Sequence, residues 1–300
     1  MSGLVALVSC SHAGPVGGEV HIHGSRGRLA GTVQVPEGEG RKPVAIIFHG
    51  LTGYRTEDHL MALNDSLLAR GIATVRFDFN GHGESDGCFS GMTLANEMED
   101  ARAIFHYVES LSWVDTTRIS VAGHSQGGLE AGLLAGELGS GKIRSAVLMA
   151  PAACIPAMVE SGDLFGFDLS GGFPDSLAFW GGRYLGKAYL ESALACHPFE
   201  QTARYTGPVL VLQALNDNPV LMRVVERYRD CLPQAEYIEL PGLTHCFPED
   251  LATPAPASPP TSSPAPRGNT IKAGSFRLRP CLIRASDYSA GVSPAGITKV

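Results

Sequence analysis

The hydrophobic pattern changes rhythm near the start of the chain. Residues 19–36 alternate, first as Glu19-Val20-His21-Ile22-His23 and then as Leu29-Ala30-Gly31-Thr32-Val33-Gln34-Val35 before Pro36, which predicts a hairpin with one face in water. Val44-Ala45-Ile46-Ile47-Phe48 is instead an unbroken apolar run, the mark of a strand buried on both faces. Further strands are predicted at 73–79, 119–122, 146–149, 208–212 and 235–240. Helices fall between them. One begins at Thr56 as N-cap, carries Leu60, Leu63 and Leu67 on one face and stops at Gly71. In the next, Leu94, Met98, Ala101, Phe105 and Val108 step by 4, 3, 4 and 3. A third opens at Ser125 and runs to about Gly139, and a fourth covers roughly 219–231. Strands and helices alternating in this way predict a mostly parallel central sheet with helices on both faces. The alternation breaks at about 152–206, a stretch rich in glycine and aromatic residues, which is expected to be an insertion over the carboxyl edge of the sheet.

Composition divides the chain. Its 300 residues are 44% apolar and 18% charged, enough for a large core. No apolar run reaches the ~18 to 20 residues of a membrane-spanning helix. The net charge of −7 argues against nucleic acid as a partner. Residues 251–300 hold six basic residues and one acid, or +5, which leaves −12 on residues 1–250. This last segment, rich in Pro, Ala and Ser, is expected to be a disordered tail outside the domain at 19–250. The seven cysteines are scattered and form no C-x-x-C pair, so neither a disulfide framework nor a zinc site is indicated. His21 and His23 share a strand face without a third ligand nearby, as a solvated face would. Residues 1–18 include Leu4-Val5-Ala6-Leu7-Val8-Ser9-Cys10, which resembles the end of a bacterial lipoprotein signal with Cys10 at the lipidated position. The apolar stretch is short and no basic residue precedes it. The sequence as it stands therefore reads as cytoplasmic, and as an exported lipoprotein if the true start lies upstream of Met1.

The motif that carries chemistry is Gly123-His124-Ser125-Gln126-Gly127. It lies between a predicted buried strand and a helix, the context of a nucleophile elbow. A serine hydroxyl needs a base to take its proton and a carboxylate to orient that base. In α/β-hydrolases the chain order is serine, acid, histidine. Asp217 follows strand 208–212 and His245 follows strand 235–240, so both fit. The oxyanion donors are expected from the backbone of Gln126, next to the nucleophile, and of Leu51, after the first buried strand. His49 is expected to shape that loop. No cofactor or metal is needed.

His49-Gly50-Leu51-Thr52-Gly53, Thr56-Glu57-Asp58-His59, the run from Arg76 to Gly87 and Gly123-His124-Ser125-Gln126-Gly127-Gly128 together resemble bacterial cinnamoyl (feruloyl) esterases of the α/β-hydrolase superfamily, over about residues 19–250. The resemblance implies a serine esterase that works under an inserted lid. Its substrates would be hydroxycinnamoyl esters (feruloyl, p-coumaroyl or caffeoyl), including feruloylated oligosaccharides of plant cell walls. Gly162-Asp163-Leu164 and Gly181-Gly182-Arg183-Tyr184-Leu185 resemble lid segments of the family. On that ground Asp163 and Tyr184 are carried over as contacts to the phenolic ring hydroxyls. Two departures stand out: Thr244 precedes the histidine where Asp is common, and the closing helix is replaced by the proline-rich tail. A lysophospholipase- or monoacylglycerol-lipase-like hydrolase of aliphatic esters, and a catalytically dead binding protein, remain as alternative readings.

Overall fold

The computed structural model describes residues 16–247. The expectations for the lipoprotein-like Cys10 and for the tail fall outside the described residues. The hairpin forms from β1 (Val16–Gly24) and β2 (Gly27–Val35), paired antiparallel from Val16 opposite Val35 to Gly24 opposite Gly27. His21 and His23 lie exposed on β1. β3 (Lys42–Phe48) has every residue from Pro43 to Phe48 buried, as its apolar run requires.

After β3 come α1 (Asp58–Leu68), β4 (Ala73–Phe77), α2 (Leu94–Ser110), β5 (Val114–His124), α3 (Gln126–Leu138) and β6 (Ala146–Met149). In α1 the N-cap is Glu57 rather than Thr56, because Glu57 is the last residue with extended backbone (φ −62°, ψ 141°) before the helix. The five apolar residues of the 4-3-4-3 stripe are all buried along α2. Thr93 caps this helix: its Oγ1 accepts from the Asn96 amide while the Asn96 side chain accepts from the Thr93 amide.

The insertion holds α4 (Ile155–Glu160) and two short hairpins, β7 (Asp163–Leu164) with β8 (Phe167–Asp168) and β9 (Ser176–Phe179) with β10 (Arg183–Gly186). It continues through α5 (Lys187–Leu194) and α6 (Pro198–Thr202). Then β11 (Val209–Ala214), α7 (Met222–Cys231) and β12 (Glu236–Leu240) resume the alternation.

Among the described residues eight strands form one sheet in the order β1-β2-β4-β3-β5-β6-β11-β12. β2 runs antiparallel to both of its neighbours, and the six strands from β4 to β12 run parallel. The sheet is thus mostly parallel, as predicted, and helices cover it. The chain moves outward from β3 to β4 and then crosses back to β5 on the other side of β3. This reversal opens a crevice between the loops that leave β3 and β5, the place where such sheets bind ligands. No helix among the described residues is long and apolar enough to cross a membrane.

Candidate active site

β5 ends at His124 and α3 begins at Gln126, so Ser125 alone makes the turn. Its backbone sits at φ 55°, ψ −120°, a strained combination for a residue with a side chain. The surroundings enforce it. The Ser125 amide donates to the Met149 carbonyl (2.8 Å) and its own carbonyl accepts from the Ala152 amide (2.9 Å). The flanking glycines allow the crossing: a Cβ on Gly123 would stand 2.0 Å from the Gly127 carbonyl oxygen, and one on Gly127 would stand 2.4 Å from that of His49.

Loops at the carboxyl ends of β11 and β12 bring in Asp217 and His245. Ser125 Oγ lies 2.9 Å from His245 Nε2, and His245 Nδ1–H donates to Asp217 Oδ2 at 2.7 Å. The Asp217 carboxylate is 1% exposed and fully engaged: Oδ2 also accepts from Gln213 Nε2 (3.0 Å), and Oδ1 from the Val220 amide (2.7 Å). The bond to Val220 closes the acid loop ahead of α7 and does not cap that helix. The structure thus brings together the three side chains that chain order singled out.

The loop after β3 lies against the serine, since a Cβ on Gly50 would stand 3.0 Å from Ser125 Cβ. The Gly50 carbonyl accepts from His49 Nδ1–H and from the Gly53 amide, both at 2.9 Å. His49 Nε2 accepts from the Phe79 amide at 3.0 Å, which fixes the tautomer. Burial holds the pKa of His49 below its usual value, so the ring stays neutral. In a trans peptide the N–H points away from the C=O, so pinning the Gly50 carbonyl also sets the direction of the Leu51 amide. The Gln126 amide is the first of α3 and has no partner within the helix.

Beneath Gln126 lies a polar cluster that the pattern of the sequence did not reveal. Gln126 Nε2 donates to Glu97 Oε2 (2.5 Å), and Tyr189 Oη of α5 donates to Gln126 Oε1 (2.6 Å). Glu97 and Glu130 are both fully buried, and neither Glu97 Oε1 nor either carboxyl oxygen of Glu130 has a hydrogen-bond partner among the described residues. Desolvation pushes both far above the usual carboxylate range, Glu97 to about 8 and Glu130 in the same direction. Close to His124, Glu57 is pushed up to about 7 and His59 down to about 4, each chiefly by burial, and His59 Nε2 lies 4.0 Å from Glu57 Oε2. The His59 ring lies 4.2 Å from that of His124.

Asp163 and Tyr184 are exposed residues of the insertion. Asp163 is exposed and its Oδ1 accepts from the Gly166 amide in the turn between β7 and β8 (3.0 Å). Tyr184 is 58% exposed on β10. Among the described residues no hydrogen bond joins either to Ser125, Asp217 or His245. A cavity of ≈ 600 Å³ opens within the insertion, lined in part by Pro156, Val159, Leu169, Phe173, Leu194 and His197. No three His, Cys, Asp or Glu side chains among the described residues converge as metal ligands.

A family described as serine aminopeptidase, S33, matches residues 40–241. A solved structure of Est1E from Butyrivibrio proteoclasticus with ferulic acid bound is 32% identical, covers 76% of this chain and 91% of that one, and superposes with a TM-score of 0.73. An uncharacterized 31.7 kDa protein in the traX–finO intergenic region of Escherichia coli is 35% identical over 100 residues, or 33% of this chain and 35% of that protein. Non-heme chloroperoxidase CPO-A1 of Kitasatospora aureofaciens is 32% identical over 127 residues, or 41% of each. The matched region therefore spans well under half the length of these two curated relatives.

Proposed function

The chain belongs to the serine aminopeptidase S33 family and is a serine hydrolase of the α/β-hydrolase fold, and we propose that it cleaves carboxylic esters of hydroxycinnamic acids through an acyl-enzyme. The observation that carries the proposal is the unbroken chain from Ser125 Oγ through His245 to Asp217, at 2.9 and 2.7 Å. Ser125 Oγ attacks the ester carbonyl as His245 Nε2 takes its proton. The resulting oxyanion is held by the amides of Leu51 and Gln126. The bond to the alkoxy oxygen then breaks, and the imidazolium returns the proton to the leaving alcohol. Water attacks the acyl-enzyme in the same way: its proton passes to His245 and then to Ser125 as the acid departs. Asp217 keeps the proton of the neutral histidine on Nδ1 and balances the imidazolium.

The acyl preference is supported by the 32% identity to Est1E, whose structure holds ferulic acid, and by the resemblance of Gly162-Asp163-Leu164 and Gly181-Gly182-Arg183-Tyr184-Leu185 to lid segments of feruloyl esterases. Asp163 and Tyr184 are assigned to the ring hydroxyls on that basis. The test is a panel of methyl ferulate, a medium-chain aliphatic ester and an aminoacyl p-nitroanilide, with Ser125→Ala as control. Preferred turnover of methyl ferulate that Ser125→Ala abolishes supports the reading. Preference for the aliphatic ester or the anilide overturns the acyl assignment, and failure of a fluorophosphonate to label Ser125 overturns the mechanism.

A further inference from the structure

The position in front of the nucleophile is formally free in its motif, yet here it makes a directed, buried bond. His124 is 4% exposed and its Nε2 lies 2.8 Å from the main-chain oxygen of His245. A carbonyl can only accept, so His124 carries its proton on Nε2. Burial, beside the rings of His59 and His245, lowers its pKa well below the usual value and keeps it neutral. Its ring packs against His245 at 4.6 Å, Phe247 at 5.8 Å and His59 at 4.2 Å between centroids. His124 is therefore one peptide from the nucleophile and one hydrogen bond from the backbone of the base. Other bonds steady the same loop from a distance: the Asn216 amide donates to the Leu243 carbonyl (3.0 Å) and the Phe247 amide to that of Thr244 (3.2 Å). The bond from His124 acts on His245 itself.

We propose that His124 is a positioning residue for the base. Its Nε2–H grips the His245 carbonyl and keeps Nε2 of that imidazole within reach of Ser125 Oγ. The strained turn that aims the nucleophile then also aims its partner, and the two cannot drift independently. This rests on the assignment of His245 as the base.

The test uses the full chain and two variants of opposite chemistry. His124→Gln keeps an N–H donor near the ε position, whereas His124→Phe keeps a ring and loses the donor. With p-nitrophenyl acetate as probe, His124→Phe is expected to lose kcat by about 10- to 100-fold while KM stays within about 3-fold. His124→Gln is expected to stay within about 5-fold of the parent kcat. Equal activity of the two overturns the proposal. If His124→Phe does not fold, imidazole nitrogen NMR of the unsubstituted protein decides: a neutral His124 protonated on Nε2 supports the clamp, and a proton on Nδ1 refutes it. A parent protein that neither turns over the ester nor reacts with a fluorophosphonate would instead overturn the catalytic reading, and the tautomer would still test the clamp.

Discussion

Tyr189 reaches from α5 of the insertion to hydrogen-bond Gln126, the residue after the elbow serine, at 2.6 Å and in full burial. The insertion is thereby tied to the turn that holds the nucleophile. Removing the hydroxyl leaves a buried acceptor on Gln126, worth about 1–3 kcal/mol. Tyr189→Phe is therefore expected to unfold at lower temperature. Because Gln126 also supplies an amide for the proposed oxyanion site, kcat should fall more than KM rises. Thermal unfolding with steady-state kinetics checks both, and an unchanged kcat would mean that the insertion does not influence the turn.

Gly127→Ala is expected to lower activity by about 10²-fold. Its new Cβ would stand 2.4 Å from the His49 oxygen and 2.5 Å from the Phe48 oxygen, both main-chain atoms at the end of β3. Neither atom can rotate aside, so either Ser125 or the loop carrying Leu51 must move. A shift of about 1 Å there can cost roughly 10²-fold in rate. Fluorophosphonate labelling of Ser125 reads the displacement without relying on any one substrate. Labelling at the parent rate would show that the crossing tolerates a methyl group.

The Glu97–Glu130 pair makes stability depend on pH in a definite direction. Burial raises Glu97 to about 8 and Glu130 well above its usual value, whereas an unfolded glutamate titrates near 4.3. The folded state thus holds protons that the unfolded state releases. The stabilisation is complete below the unfolded value and is lost as pH rises toward and through about 8. The buried histidines act oppositely: His124 and His82 have lowered values, so they cost stability only below their unfolded value of about 6.5. Between pH 7 and 8.5 the carboxyl pair should therefore dominate their contributions. Glu130→Gln is expected to flatten the fall in melting temperature across that window, as measured by thermal unfolding at several pH values. An unchanged slope would count against a folded state that keeps Glu130 protonated in this range.

What the sequence disclosed and what it concealed follow from how burial is encoded. β3, β5, β6 and β11 are covered on both faces, so continuous apolar runs announced their positions. The 4-3-4-3 stripe of α2 did the same for one helix face. Glu97 and Asp100, charged residues of the same helix flanking that stripe, are 1% and 0% exposed. A stripe shows which face is apolar and not whether the other face meets water, and here α3 brings Glu130 onto Glu97. Tyr189 lay in a stretch without periodicity, so nothing in the pattern pointed it at Gln126. Gly128, Gly132 and Gly136 recur every fourth residue along α3, and a Cβ on Gly136 would stand 2.0 Å from the Gln201 oxygen of α6. That spacing marks the close approach of a second backbone. Order along the chain selected Ser125, Asp217 and His245 because each follows a strand end at the carboxyl edge, where a parallel sheet gathers its loops.

The assignment of Asp163 and Tyr184 to the phenolic end of the substrate makes a prediction that differs from general damage to the lid. Both side chains are exposed, Tyr184 at 58%, so their replacement should leave the fold intact. Methyl cinnamate lacks the ring hydroxyl that methyl ferulate carries, and the two esters share the same scissile bond. A residue that bonds the hydroxyl contributes only to the ferulate, and its loss should cost about 1–2 kcal/mol, or roughly 5- to 30-fold in kcat/KM. Asp163→Ala and Tyr184→Phe are therefore expected to lower kcat/KM for methyl ferulate while leaving methyl cinnamate within about 2-fold. A lid that merely shields the site would treat both esters alike, because exclusion of water does not depend on a distant hydroxyl. Parallel losses on the two substrates would remove both residues from the recognition of the ring.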